Sequence, residues 1–176
     1  MKKTEKGDFD LKSAKTEIEK VIKQYPKYPG AYYLLGELYN EGMNYDSALQ
    51  AAQFEIKNNP VHLDAYVLAA RALMQKQDFG NALLLLNKAL TINPTYVPLL
   101  MNAGIANHQT KSYAAAQSLY ERALQIDQAN AEVHKRLSLL FLDLGNIDRR
   151  RQHCKAYLDL FPDAPDRAQV ERSLCN

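Results

Sequence analysis

Apolar side chains recur along this chain at offsets of three, four and seven residues, the spacing that places them on one face of an α-helix. Tyr32, Leu35 and Tyr39 form one such set. After a short polar turn, Tyr45 begins a second set that continues to Ile56. The pattern predicts two helices joined by a tight turn, and the same pattern recurs along the chain.

The end of each second helix is marked by a proline. Pro26, Pro60, Pro94 and Pro162 lie thirty-four residues apart or at twice that spacing, and Gln128 occupies the one intervening place. Proline has no backbone N–H, clashes with the preceding turn and disfavours helical geometry in the residue before it. The fixed interval therefore predicts a chain built from helical hairpins of equal length.

Two positions in each hairpin hold mainly small residues. In the first helix they are Gly36, Ala70, Gly104 and Ser138, and in the second they are Ala48, Ala82, Ala116 and Arg150. Small residues let the two backbones of a hairpin approach each other, while larger ones fill the space between hairpins. Because one hairpin cannot bury both of its faces, the core depends on the stacking of neighbours.

This pattern resembles the tetratricopeptide repeat family, whose repeats are helix–turn–helix units of this length with a closing proline. The resemblance implies an all-α fold, a right-handed α–α superhelix (solenoid), formed as a single domain over residues 1–176. It places an N-terminal half-repeat helix at 8–28, repeats at 29–62, 63–96, 97–130 and 131–164, and a C-terminal capping helix at 165–176.

The resemblance also implies a concave groove, lined by the first helices, that holds a peptide or helix of a partner protein. Its centre is apolar and includes two methionines, which suits a partner with aliphatic or aromatic side chains. We therefore expect a protein–protein interaction scaffold, or adaptor. The matching positions are Tyr33, Glu37, Asn40, Val67, Arg71, Met74, Met101, Ile105, His108, Lys135, Leu139 and Leu142.

One branch of the family grips the C-terminal carboxylate of chaperones with lysine and asparagine side chains. The first-repeat lysine and asparagine of that motif have no counterpart here, and Glu132 lies where it would repel a carboxylate. We therefore do not expect this chain to bind chaperone tails.

Charge and motifs exclude several other functions. The net charge is +2, and the predicted groove mixes acidic with basic residues, so we expect no nucleic-acid partner. The sequence contains no stretch of eighteen apolar residues, which excludes a membrane span. It also lacks a glycine-rich phosphate loop and the HExxH and GxSxG motifs. We therefore expect no enzymatic activity, no cofactor and no metal site.

The two cysteines, Cys154 and Cys175, do not have the spacing of a metal site. Free cysteines are commonly buried, so two buried thiols are favoured over a disulfide, which would need their Cα atoms within about 7 Å. The sequence as it stands predicts a cytoplasmic location, and a periplasmic one if a signal peptide has been removed.

Two regions leave alternatives open. Arg149, Arg150 and Arg151 break the repeat pattern, because Arg150 occupies a small-residue position. The run is interpreted as a solvated face, with an anion or partner site beside the capping helix as the alternative. The half-repeat helix is rich in Lys and Glu, as a polar cap should be. It is also a candidate for self-association, which would make the chain a self-assembling structural protein, for example an envelope assembly scaffold.

Overall fold

The computed structural model describes the backbone of residues 4–176 and the side chains from residue 11 onward, and this part of the chain is helical without any strand. The all-α fold class is therefore confirmed. The chain divides into two compact units, Met1–Ile92 and Asn93–Asn176.

Unit 1 holds five helices: α1 (Thr4–Gln24), α2 (Ala31–Glu41), α3 (Tyr45–Asn58), α4 (Leu63–Gln75) and α5 (Phe79–Ile92). Each of them packs against the next. The predicted small positions lie where helices meet, with Ala48 and Ala82 fully buried. A Cβ atom added at Gly36 would come within 2.7 Å of Leu68 Cδ2. This glycine therefore sets how closely α2 approaches its neighbours.

Unit 2 begins with four helices, α6 (Val97–Gln109), α7 (Tyr113–Ile126), α8 (Ala131–Asp143) and α9 (Ile147–Leu160). They form the hairpins α6–α7 and α8–α9, and α7 also packs against α8. Gly104 of α6 faces the ring of Tyr120 on α7, where an added Cβ would lie only 2.4 Å from Cε1. The aromatic ring thus occupies the space that a side chain at position 104 would need.

The hairpin turns share one backbone feature. Met43, Gln77, Lys111 and Gly145 all have positive φ angles, of 56°, 61°, 61° and 69°, and they follow one another at the repeat interval. A left-handed residue ends the first helix and directs the chain into the second. Only the fourth turn uses glycine, the residue that adopts this conformation without strain.

The C-terminal end of unit 2 is closed by a short helix α10 (Arg167–Val170) and a π-helical turn, Glu171–Cys175. Val170 and Leu174 are buried there against Tyr157 and Leu158 of α9. Cys154 and Cys175 form a disulfide, with their Cα atoms 5.5 Å apart. The expectation of two buried thiols is therefore wrong, because the C-terminal turn folds back onto α9 and brings the sulfur atoms together.

The N-terminal end of unit 1 is more open. α1 packs against α2, yet Leu11, Val21 and Leu34 remain exposed on these two helices. A largely apolar cavity of about 450 Å³ opens between α1, α2 and the turn that joins them. This end therefore presents apolar surface to its surroundings.

Candidate partner-binding site

In unit 1, the predicted groove residues lie on α2 and α4. Tyr33 is half-buried and its ring packs on the imidazole of His62, with the ring centroids 4.9 Å apart. The pKa of Tyr33 is raised mainly by burial, and the nearby Glu37 and Asp64 carboxylates raise it further. The phenol is therefore neutral at physiological pH and can donate a hydrogen bond.

The other groove residues of unit 1 differ in exposure. Arg71 is exposed and close enough to Tyr33 to oppose the rise of its pKa. The remaining members of the predicted set are half-buried: Glu37, Asn40, Val67 and Met74.

Glu55, which was not among the predicted groove residues, contacts His62 and the start of α2. Its side chain is buried, and one carboxylate oxygen, Oε1, accepts the backbone N–H of Gly30 at 2.9 Å. The same oxygen lies 2.9 Å from Nδ1 of His62. Glu55 thereby fixes the start of α2 and the ring on which Tyr33 packs. The signal in the sequence is a charge at a position where the next two repeats have Ala89 and Ala123.

In unit 2, the predicted groove residues lie on α6 and α8, which contact each other. Met101 and Ile105 of α6 and Leu139 of α8 are half-buried, and Leu142 is 40% exposed. The structure therefore brings four apolar residues of the predicted set onto neighbouring first helices.

His108 and Lys135, the polar members of the set in unit 2, are held by internal partners. Nε2 of His108 lies 2.8 Å from Oδ2 of Asp143, and the ring meets Tyr113 edge-on. The Lys135 ammonium donates to the Asp166 carboxylate. Asp166 directly precedes α10, and its side chain makes no cap hydrogen bond to that helix.

The Lys135–Asp166 pair is extended by a tyrosine. The Tyr157 hydroxyl donates to Oδ1 of Asp166 at 2.6 Å, and the Lys135 ammonium lies 5.5 Å from the centre of the Tyr157 ring. Hydrogen bonds from Lys135 and Tyr157 lower the pKa of Asp166. Burial first, and then Asp166, raises the pKa of Tyr157 to about 12. Lys135 therefore ties α8 to the C-terminal end of unit 2.

A cavity of about 300 Å³ opens between α6, α7 and α8. Three residues predicted to line the groove border it, namely Ile105, His108 and Leu139. Tyr120 and Arg136 also border it and were not among the residues predicted to line the groove. The remaining residues that border the cavity are Gln109, Lys111, Tyr113 and Asp143.

Two polar atoms of the residues around this cavity are buried without a hydrogen-bond partner in the described part of the chain. They are the hydroxyl of Tyr120 and Nε of Arg136. Burial raises the pKa of Tyr120 well above its usual range, so its hydroxyl keeps its proton. The cavity thus places two aliphatic side chains, Ile105 and Leu139, beside polar ones, and two of the lining residues carry a donor without a partner.

The three consecutive arginines reach different neighbours. The Arg149 guanidinium lies 5.3 Å from the centre of the Phe141 ring and 3.8 Å from Glu121 Oε1. Arg150 is half-buried and donates to the backbone oxygen of Asn176, whereas Arg151 is exposed. Arg150 fits its small-residue position by extending its charged end toward the C-terminal residue, as a long cationic side chain can.

Among the described residues, no three His, Cys, Asp or Glu side chains are grouped as a metal site would require. In the same part of the chain, every helix is too short or too polar to span a bilayer.

Comparison with protein families identifies the repeat. Models described as "Tetratricopeptide repeat" match residues 42–97, 109–165 and 17–50. No curated protein matches the chain.

Solved structures show the same fold at low sequence identity. TTC0263, a tetratricopeptide repeat protein of Thermus thermophilus, has 22% identity and a TM-score of 0.83, covering 94% of this chain and 91% of that one. PilW, a type IV pilus biogenesis factor, has 18% identity and a TM-score of 0.82, with 95% and 80% covered. YrrB, a repeat protein "with an unusual peptide-binding site", has 16% identity and a TM-score of 0.69, with 95% and 86% covered.

Proposed function

The chain belongs to the tetratricopeptide repeat family, whose members are generally non-enzymatic scaffolds for protein partners, and we propose that its first helices bind a partner segment with apolar anchors. In unit 2 the segment lies on α6 and α8. We propose a corresponding role for α2 and α4 of unit 1, with Tyr33, Val67 and Met74 as contacts.

The observation that carries this proposal is the cavity of unit 2. Ile105, His108 and Leu139 were predicted for the groove from the family resemblance, and all three border this one opening. Met101 lies one turn before Ile105 on the same helix and is half-buried, so part of its side chain remains available. Concave sites that combine apolar side chains with polar groups able to fix a ligand's orientation are the usual form of a binding site.

The test compares Met101→Glu with Ile126→Glu. Ile126 lies at the end of α7, outside the predicted site, and is 48% exposed. Peptides are selected from a random display library on the wild-type chain and then measured against both variants. We expect Met101→Glu to abolish binding, because removing a charged side chain from water among the apolar residues of α6 and α8 costs free energy. Ile126→Glu should bind as the wild type does.

Circular dichroism completes the comparison. The helical melt of Met101→Glu should stay close to that of the wild type. If Met101→Glu loses its cooperative melt, Met101 belongs to the core and its assignment to the site is wrong. Unchanged peptide binding in a folded Met101→Glu would also overturn the proposal.

A second candidate function is self-assembly, favoured by the open end of unit 1. Leu34 and Tyr28 border the apolar cavity beside α1 and are 53% and 57% exposed. Exposed apolar patches mark interaction sites, and a second copy presenting the same patch is self-complementary about a two-fold axis.

Light scattering over a hundredfold range of concentration tests self-assembly. The expected result is a mass that rises above 20.0 kDa and returns to it in Leu34→Glu. A steady mass near that of one chain would overturn this candidate and leave partner binding as the function.

We also propose that the chain works in an oxidising compartment, which agrees with the periplasmic alternative. The support is the disulfide between Cys154 and Cys175, since disulfides are rare where glutathione and thioredoxin keep thiols reduced. Protein isolated without reductant and then denatured should show no free thiol to a colorimetric reagent. Two reactive thiols per chain would overturn this assignment.

A further inference from the structure

The cavity of unit 2 has chemistry that the general proposal of an apolar groove does not use. Tyr120 is fully buried, and its ring stands against Gly104, which leaves it little room to turn away. Its hydroxyl has no hydrogen-bond partner within the described residues, and the same is true of Nε of Arg136. A buried donor without an acceptor is costly, and few native proteins leave one without a reason.

The acidic groups near the cavity are already occupied. Asp143 faces Nε2 of His108, and Oε1 of Glu132 lies 2.6 Å from Nη2 of Arg136. The sequence suggested that Glu132 would repel a carboxylate, but it does not border the cavity and it is paired with Arg136. Lys111 borders the cavity and forms no ion pair within residues 11–176. Asp143 borders the cavity with Oδ2 facing His108, and neither the Tyr120 hydroxyl nor Arg136 Nε has an acceptor among the described residues.

The apolar residues indicate the shape of that acceptor. Ile105 and Leu139 border the same opening as Tyr120 and Arg136. A glutamate side chain carries two methylene groups before its carboxylate, so it can cover apolar walls and still reach a buried donor. A free C-terminal carboxylate is attached directly to the backbone and lacks that reach.

We infer that the cavity is a subsite for a glutamate side chain of the bound partner, whose carboxylate accepts hydrogen bonds from the Tyr120 hydroxyl and Arg136 Nε. The Lys111 ammonium adds attraction at the rim. The assignment rests on the proposed function, because it supplies one polar contact within the partner-binding surface of α6 and α8.

The first experiment uses small probes, so it needs no partner protein. The full chain, labelled with ¹⁵N, is titrated with glutamate blocked at both termini and with the equally blocked glutamine. We expect saturable shifts near Tyr120, and about tenfold or more weaker binding of the glutamine probe, since hydrogen bonds to a charged acceptor are the stronger ones. A third probe, N-acetylalanine with a free carboxylate, tests whether the cavity binds the C-terminal carboxylate of a partner instead.

Tyr120→Phe removes only the hydroxyl and is the decisive variant. Binding of the blocked glutamate should weaken about tenfold. The melting temperature should stay the same or rise, because the variant buries no partnerless hydroxyl. The matched control is Tyr66→Phe in unit 1, where the Tyr66 hydroxyl donates to the Pro60 carbonyl at 3.0 Å. That control should lower the melting temperature and leave the titration unchanged.

Lys111→Gly removes the charge of Lys111 while keeping the backbone conformation of the turn. The φ angle of Lys111 is 61°, which glycine adopts freely, so the variant should not destabilise the turn. Affinity for the blocked glutamate should fall by a smaller factor than in Tyr120→Phe, since Lys111 lies at the rim. Gln77→Gly makes the equivalent change in a turn of unit 1 and should have no effect on the titration.

Several results would overturn the subsite. These are an absence of saturable shifts at tens of millimolar blocked glutamate, equal binding of the glutamine probe, and unchanged binding in Tyr120→Phe. A loss of melting temperature in Tyr120→Phe as large as in Tyr66→Phe would show that the hydroxyl has a structural partner. Tyr120-dependent binding of N-acetylalanine alone would assign a C-terminal carboxylate instead. None of these results affects the Met101→Glu test of partner binding, so the two proposals fail separately.

Discussion

The two ends of the chain differ in how the outer face of the terminal helices is covered. A stack of helical hairpins leaves one helix face uncovered at each end, and that face must be made polar or covered. In unit 2 the final turn folds over α9, buries Val170 and Leu174 and is fixed by a disulfide. In unit 1, α1 leaves Leu11 and Val21 exposed. The C-terminal end is closed by covalent and apolar contacts, whereas the N-terminal end keeps apolar surface available.

The difference indicates where further contacts can form. A covered end gains nothing from another chain, while an exposed apolar face gains hydrophobic free energy whenever something packs on it. Stability should therefore respond strongly to changes at the C-terminal end and weakly to changes in α1, and association should show the opposite pattern.

Reduction of the disulfide should have the largest effect. The bond joins residues 21 positions apart, and closing a loop of this size stabilises a fold by about 3 kcal/mol. Urea unfolding of the wild type should therefore shift to lower urea when reductant is added. The double variant Cys154→Ala/Cys175→Ala should unfold at the shifted midpoint with or without reductant. An unmoved wild-type midpoint would mean that the bond does not stabilise this end.

A matched pair of valines tests apolar burial at the two ends. Val170 is 3% exposed and Val21 is 37% exposed. Val170→Ala should lower the free energy of unfolding by about 2 kcal/mol, because it removes fully buried methyl groups. Val21→Ala should cost less than about 1 kcal/mol, since this side chain already meets solvent. Equal losses in chemical denaturation would contradict the contrast between the ends.

Asp166→Asn should have a smaller effect that depends on pH. The folded-state pKa of Asp166 lies below its ordinary value, so the ionised carboxylate stabilises the fold above that ordinary value. This contribution is lost as the pH falls through the folded-state pKa. At neutral pH the variant should lose about 1 kcal/mol, allowing for partial exposure. Thermal melts of both proteins should converge toward about pH 2. A difference that persists there would indicate that packing, not charge, distinguishes them.

The sequence predicted the local features of the fold well. Helices, turns and small positions such as Gly36 and Gly104 follow from rules that act over a few residues, and repetition of those rules at one interval made each prediction stronger. The Cys154–Cys175 disulfide depends instead on a turn that folds back over α9, which no spacing rule describes.

The candidate site was less predictable for a related reason. A repeat pattern identifies which helix face a residue occupies, and the family resemblance indicates which face lines the groove, so Ile105, His108 and Leu139 could be named in advance. It does not show which buried groups lack a partner, because that depends on neighbours from other helices. Tyr120 occupies an ordinary packing position in the pattern, and Glu55 is marked only as a charge where the next two repeats have alanine. The contacts around their polar atoms show what each of them does.

The left-handed residue of each hairpin turn has a consequence for how such a protein can be varied. The backbone conformation recurs at Met43, Gln77 and Lys111 although the side chains differ. A non-glycine residue is strained in this conformation by about 1 kcal/mol, so exchanging it costs little or even stabilises the fold. These turns are therefore places where surface chemistry can change from one repeat to the next while the spacing of the helices stays the same. A collection of variants at residues 43, 77 and 111 would change the chemistry of the surface without redesigning the scaffold.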